Sequence, residues 1–178
     1  MNDLKAAMLG LAGADASISG RFAKFRAREN IRIISFSDVI DPPTVFAMGA
    51  DEALNAKTMA SVAERVKAIE PQGGTAVFEA AQSAYIAAAA RRRADPGRFY
   101  SIVVMTDGEN NKGINAREFE SWYTGLPEAD KGVKVFSVIF GEGNPAELRR
   151  VAELTGGRSF DGRKARLGAV FKEIRGYQ

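Results

Sequence analysis

Two spacings of apolar residues take turns along the chain: the three-to-four step of a helix and the short continuous run of a buried strand. Leu4, Met8 and Leu11 fall on one helical face. Residues 17–28 are polar and basic, with Phe22 and Phe25 as apolar anchors, and continue as helix or turn. Residues 31–36 read as a strand, Pro42-Pro43 breaks the chain, and residues 44–48 read as an edge strand able to pair antiparallel with the first. Met59, Val62, Val66 and Ile69 form a helical stripe, with Asp51 placed to cap that helix. Val77, Phe78, Ala81 and Tyr85 form a second stripe, and the alanines at 87–90 let that helix pack closely. The run Ile102-Val103-Val104-Met105 is a buried strand. Asn115 then opens a helix carrying Phe119 and Trp122, which read as core aromatics. Residues 133–140 are the clearest strand of all. Asn144-Pro145-Ala146-Glu147 is a strong helix start, with a capping residue, proline at the first helical position and a carboxylate at the third. Leu148, Val151 and Ala152 face inward, and Gly156 ends that helix. Ser159-Phe160 fits a short edge strand, and Leu167, Val170, Phe171 and Ile174 mark a last amphipathic helix.

Strands alternating with helices predict an α/β fold with a doubly wound, mostly parallel sheet flanked by helices. The 178 residues read as one domain, 1–178, and a hydrophobic content of 46% is ample for a core. No apolar run approaches the roughly 20 residues that cross a bilayer. No secretory signal stands at the start.

Composition narrows the chemistry. The chain has no cysteine and no histidine. Disulfides, thiol nucleophiles, His/Cys zinc sites and Ser-His-Asp machinery are excluded. Any metal must be held by oxygen, which favours Mg²⁺, Mn²⁺ or Ca²⁺. The net charge of +3 is mild. Arg91-Arg92-Arg93 with Arg98 is the densest basic run, and it suits the C-terminal turn of a helix better than a nucleic-acid surface.

Two segments carry candidate chemistry. In Ile102-Val103-Val104-Met105-Thr106-Asp107-Gly108-Glu109-Asn110 an apolar strand ends on Asp107 and a tight turn. Strand tips are where open α/β sheets bind ligands, so Asp107 is either a functional carboxylate or a turn former. In Pro71-Gln72-Gly73-Gly74-Thr75-Ala76-Val77-Phe78 two glycines permit a sharp turn before a helix. Thr75 is either the N-cap of that helix or an oxygen ligand for a hard cation beside Asp107. Ser35, Ser37 and Asp38 also lie at a strand end and read as turn formers before ligands.

The Gly-Gly-Thr loop, the Thr106-Asp107-Gly108-Glu109 turn, Phe140-Gly141-Glu142-Gly143, Thr155-Gly156-Gly157-Arg158-Ser159-Phe160 and the order of elements together resemble the von Willebrand factor type A (VWA) family, most closely its bacterial members, which occur in exported or surface proteins. The resemblance implies a metal-ion-dependent adhesion site built from three loops: an Asp-x-Ser-x-Ser tip on the first strand, a threonine matching Thr75 and an aspartate matching Asp107. Only Met1 precedes Asn2-Asp3-Leu4-Lys5, so the first strand and its tip are expected to be absent, as in a domain cut after its first loop. Asp15-Ala16-Ser17-Ile18-Ser19 matches the letters but follows a helix-like segment. The implied strand order is 3-2-1-4-5-6, and its central place would be vacant. The halves would then close together, borrow a strand from another copy through the exposed sheet edges, or need an N-terminal segment.

These residues predict a protein–protein interaction module of the adhesion or assembly type, without enzymatic activity, reaching a protein partner through an acidic residue of that partner. Thr75 and Asp107 alone make an incomplete metal site, so binding of Mg²⁺ or another divalent cation is expected to be weak or absent. The alternative is a Mg²⁺-dependent hydrolase or phosphotransfer domain using Asp107, but such sites cluster several carboxylates.

Overall fold

The computed structural model describes residues 2–14, 28–70, 73–141, 144–163 and 167–176. Phe22, Phe25, the Asp15 to Ser19 segment, Pro71-Gln72 and Glu142-Gly143 lie outside the described residues.

Helix α1 (Asn2–Leu9) runs into a π-helical turn (Gly10–Ala14). Strands β1 (Asn30–Ile33) and β2 (Thr44–Ala47) pair antiparallel, with Ile31 opposite Phe46. The Asp51 carboxylate accepts from the Ala53 and Leu54 N–H groups and so caps helix α2 (Glu52–Lys67). Helix α3 (Val77–Ala94) leads to β3 (Ser101–Thr106), helix α4 (Ala116–Thr124) to β4 (Lys134–Ile139), and helix α5 (Pro145–Leu154) to β5 (Ser159–Asp161), before the last helix α6 (Leu167–Gly176). Strands β3, β4 and β5 form a parallel sheet in that order.

Local chemistry sets most of these bounds. Asn115 and Glu118 form a reciprocal capping box at the start of α4. Asn144 caps α5, with Pro145 at the first helical position. At the end of α5, Gly156 takes a left-handed φ of 76°. Its N–H reaches the Glu153 carbonyl and that of Gly157 reaches Ala152, a Schellman closure. The first strand ends earlier than its apolar run: the Asp41 N–H bonds the Ser35 carbonyl and the Ser37 N–H that of Val39, which turns the chain over at 36–40.

The sheet is covered on both faces, as its alternation requires. Val135 and Ile139 of β4 and Val104 of β3 pack with Phe78 and Tyr85 of α3, Phe119 of α4 and Val151 of α5. Phe136 and Val138 point the other way, against Leu11, Val170 and Ile174. Ile33, Phe46, Val62 and Val66 form a smaller third cluster between the β1–β2 ribbon and α2. Met8 touches both the second and third clusters, so the N-terminal helix bridges them. The architecture is therefore α/β, a parallel sheet flanked by helices with an antiparallel ribbon beside it. Among the described residues ribbon and sheet remain separate, so closure of the two halves into one sheet, one of the expected outcomes, does not occur there. No helix among the described residues is long and apolar enough to cross a membrane.

Candidate functional site

The turn after β3 and the loop before α3 meet at one end of the sheet. Each is shaped by its own sequence. The buried Thr106 hydroxyl donates to the Gly108 carbonyl at 3.0 Å and accepts the Gly108 N–H at 3.2 Å. Thr106 therefore folds the turn that carries Asp107. The Asp107 carbonyl in turn occupies the space that a side chain at position 141 would need, which brings the tips of β3 and β4 together and explains glycine there.

The Gly-Gly-Thr loop is gripped from two sides. Gly73 has a φ of 61°, open to glycine at no steric cost. The Asp38 carboxylate accepts the Gly74 N–H at 2.5 Å. A Cβ at position 74 would meet Lys112 Cγ at 2.5 Å and Asn111 Oδ1 at 2.7 Å, so only glycine fits. The Asn111 amide oxygen accepts the Thr75 N–H at 2.7 Å, and the Asn111 and Lys112 N–H groups both bond the Thr75 carbonyl. Asn110 accepts from the Phe78 N–H at 3.3 Å and donates to the Ile114 carbonyl at 3.1 Å.

These bonds correct one of the two roles open to Thr75. The capping position of α3 is Ala76, with no side-chain capping bond of its own. Asn110, from the other loop, serves the exposed helix N–H at Phe78 instead. The Thr75 hydroxyl lies 3.4 Å from where a Gly108 side chain would begin. Thr75 and the residue after Asp107 are thus neighbours, and both candidate residues sit at the same end of the sheet. The third group of candidates divides. Ser35 hydrogen-bonds Asp41 and Arg65, a turn network. The Ser37 carbonyl accepts the Ala76 N–H at 3.0 Å. Asp38 holds the glycine loop.

Asn110 and Asn111 have the largest part in joining the two loops, and neither was singled out from the sequence. The available signal was their position: side-chain amides directly after a strand-tip turn can accept the orphan N–H groups of a neighbouring helix start. For a cation the donor set is thin. Among the described residues no group of three or more Asp, Glu, His or Cys is placed to hold a metal. One hydroxyl and one carboxylate fall well short of the roughly six oxygens a hard cation takes.

Comparison with protein families matches the chain over residues 25–160 to the von Willebrand factor type A domain. Comparison with curated proteins gives no match.

Proposed function

Because this chain belongs to the von Willebrand factor type A domain family, we propose that it is a protein-interaction module of the adhesion or assembly type whose docking surface is the strand-tip end carrying Thr75 and Asp107. The observation that carries the reading is the grip of the 110–112 segment on the Gly-Gly-Thr loop: the backbone of Thr75 is held by three hydrogen bonds while its hydroxyl makes none with a described residue. A hydroxyl pre-positioned beside a carboxylate-bearing turn suits contact with something outside the chain. In this reading the adhesion site is incomplete. Mg²⁺ or another divalent cation binds weakly or not at all, and an acidic residue of the partner contacts the same end of the sheet. No bond is broken there.

Calorimetric titration with Mg²⁺ and Mn²⁺ tests this. The expected dissociation constant is about millimolar or weaker, and Thr75→Ala with Asp107→Ala removes any residual heat. A micromolar constant in the unaltered chain overturns the incomplete site.

A further inference from the structure

Helices α3 and α4 do not close fully against each other. Between them, toward the amino ends of β3 and β4, lies a cavity of about 160 Å³. Its walls are apolar: Tyr85 and Ala89 of α3, Trp122 of α4 and Leu126 just beyond it. Ile86, 55% exposed, stands at the opening. Arg93 and Asp130 complete the lining. The walls are fixed in place. Tyr85 is fully buried and meets Trp122 edge to face at 5.6 Å. Its hydroxyl donates to the Asp130 carbonyl at 3.3 Å, and Arg92 donates to the Ala129 and Lys131 carbonyls at 3.3 and 3.0 Å. These bonds tie the turn Glu128–Asp130 to α3, so the gap does not close by a local shift.

Volume sets the size of what fits. Metabolite sites run to about 300–1,000 Å³, whereas an apolar cavity of about 150 Å³ holds one benzene ring. The polar pair sets the substituent. Arg93 and Asp130 join through one terminal nitrogen and one oxygen. Among the described residues the other terminal nitrogen and the other carboxylate oxygen take no partner. A ligand carboxylate would be repelled by Asp130, and an ammonium by Arg93. A neutral hydroxyl donates to the first and accepts from the second, and leaves the ion pair intact.

We propose that this cavity is a binding site for a single phenolic ring, held against Tyr85 and Trp122 with its hydroxyl on the Arg93–Asp130 pair. Aromatic walls favour a ring over an aliphatic chain of the same volume, because ring pairs gain from edge-to-face and offset contact beyond the area they bury. The site shares no residue with the strand-tip end and is independent of that reading.

Trp122 is the one tryptophan of the chain, so its fluorescence reports on the cavity directly. The test is titration of the full chain with p-cresol and with toluene, exciting beyond phenol absorption. A saturable change with p-cresol is expected at a dissociation constant of about 1 mM or tighter, with toluene at least about threefold weaker. Ala89→Leu fills the cavity and lowers p-cresol affinity by at least about tenfold, while Ala87→Leu, exposed on the same helix, leaves it unchanged. If Ala89→Leu does not fold by circular dichroism, Arg93→Ala decides, by making p-cresol and toluene bind alike. A blocked tripeptide with tyrosine at its centre separates the two sources of such a ring. Binding of the peptide assigns the site to a tyrosine of another chain, and p-cresol binding without it to a free small molecule. No saturable change with p-cresol, binding insensitive to Ala89→Leu, or toluene as tight as p-cresol would each overturn the proposal.

Discussion

In β4 every residue from Val135 to Ile139 is buried, whereas in β1 only Ile33 is. Strand β1 alternates Ile31 and Ile33 with the polar Asn30 and Arg32, whereas β4 is apolar but for Lys134 and Ser137, and their neighbours differ to match. Strand β4 has β3 and β5 on its edges and helices on both faces, and it contributes to two clusters at once. Strand β1 has β2 on one edge and packs one face on α2 and the N-terminal helix, while Asn30 and Arg32 face outward. The parallel half holds together by burial. Polar links join the ribbon half to it: Ser37 to Ala76, Asp38 to Gly74, and a two-pronged pair from Arg175 to Glu29 at 2.9 and 3.2 Å. The first two of these links are also the supports of the Thr75 loop. The candidate site therefore sits on the seam between the parallel half and the ribbon half.

The largest effect that can break this comparison comes from one core substitution in each half. Phe136→Ala should cost about 3–5 kcal/mol and lower the urea midpoint of the whole chain. Val62→Ala should cost about 2 kcal/mol, with hydrogen exchange accelerating first in β1 and β2. Equal losses with identical exchange patterns would mean that the halves are not distinct.

A smaller effect tests the seam itself. Gly74→Ala drives a methyl group into Lys112 and Asn111, and should cost about 1–3 kcal/mol. Asp38→Asn leaves an acceptor but removes its charge, and should cost about 1 kcal/mol. Both should speed exchange of the Thr75 and Ala76 amides more than those of β4, as read by NMR. Unchanged exchange at 75 and 76 would show that Asp38 does not hold the loop.

The smallest effect at neutral pH lies deep in the parallel half. Tyr85 is fully buried, and its rings meet Trp122 and Tyr123 edge to face at 5.6 and 5.5 Å. Burial, then Tyr123, raises its hydroxyl above the ordinary tyrosine range. The folded state therefore holds this proton more tightly than the unfolded state. That contribution is complete below the unfolded value of about 10 and falls away as pH climbs past it. Tyr85→Phe should change stability little at pH 7 but flatten the alkaline decline of the melting temperature. A decline as steep as in the unaltered chain would assign it to other groups.

Much of this protein follows from spacing alone. The buried stripes at Met59, Val62 and Val66, at Val77, Phe78, Ala81 and Tyr85, and at Leu148, Val151 and Ala152 lie as their periodicity predicts. The caps at Asp51, Asn115 and Asn144 and the stop at Gly156 form as their residues predict. These features are legible because a turn of helix or a cap closes its bonds within a few residues. The site was legible only as two loops with the right letters. Asp38 serves Gly74, and Asn111 serves Thr75, each across 36 positions of chain. Bonds of that kind depend on how the sheet stacks its strand tips, and no local pattern encodes that. Tertiary structure also decided that Asn110, in place of Thr75, serves the start of α3, where the partly buried Phe78 N–H finds its acceptor in a segment distant in sequence. The stop of β1 at Ile33 is local by contrast, set by the turn in which the Asp41 and Ser37 N–H groups bond the Ser35 and Val39 carbonyls.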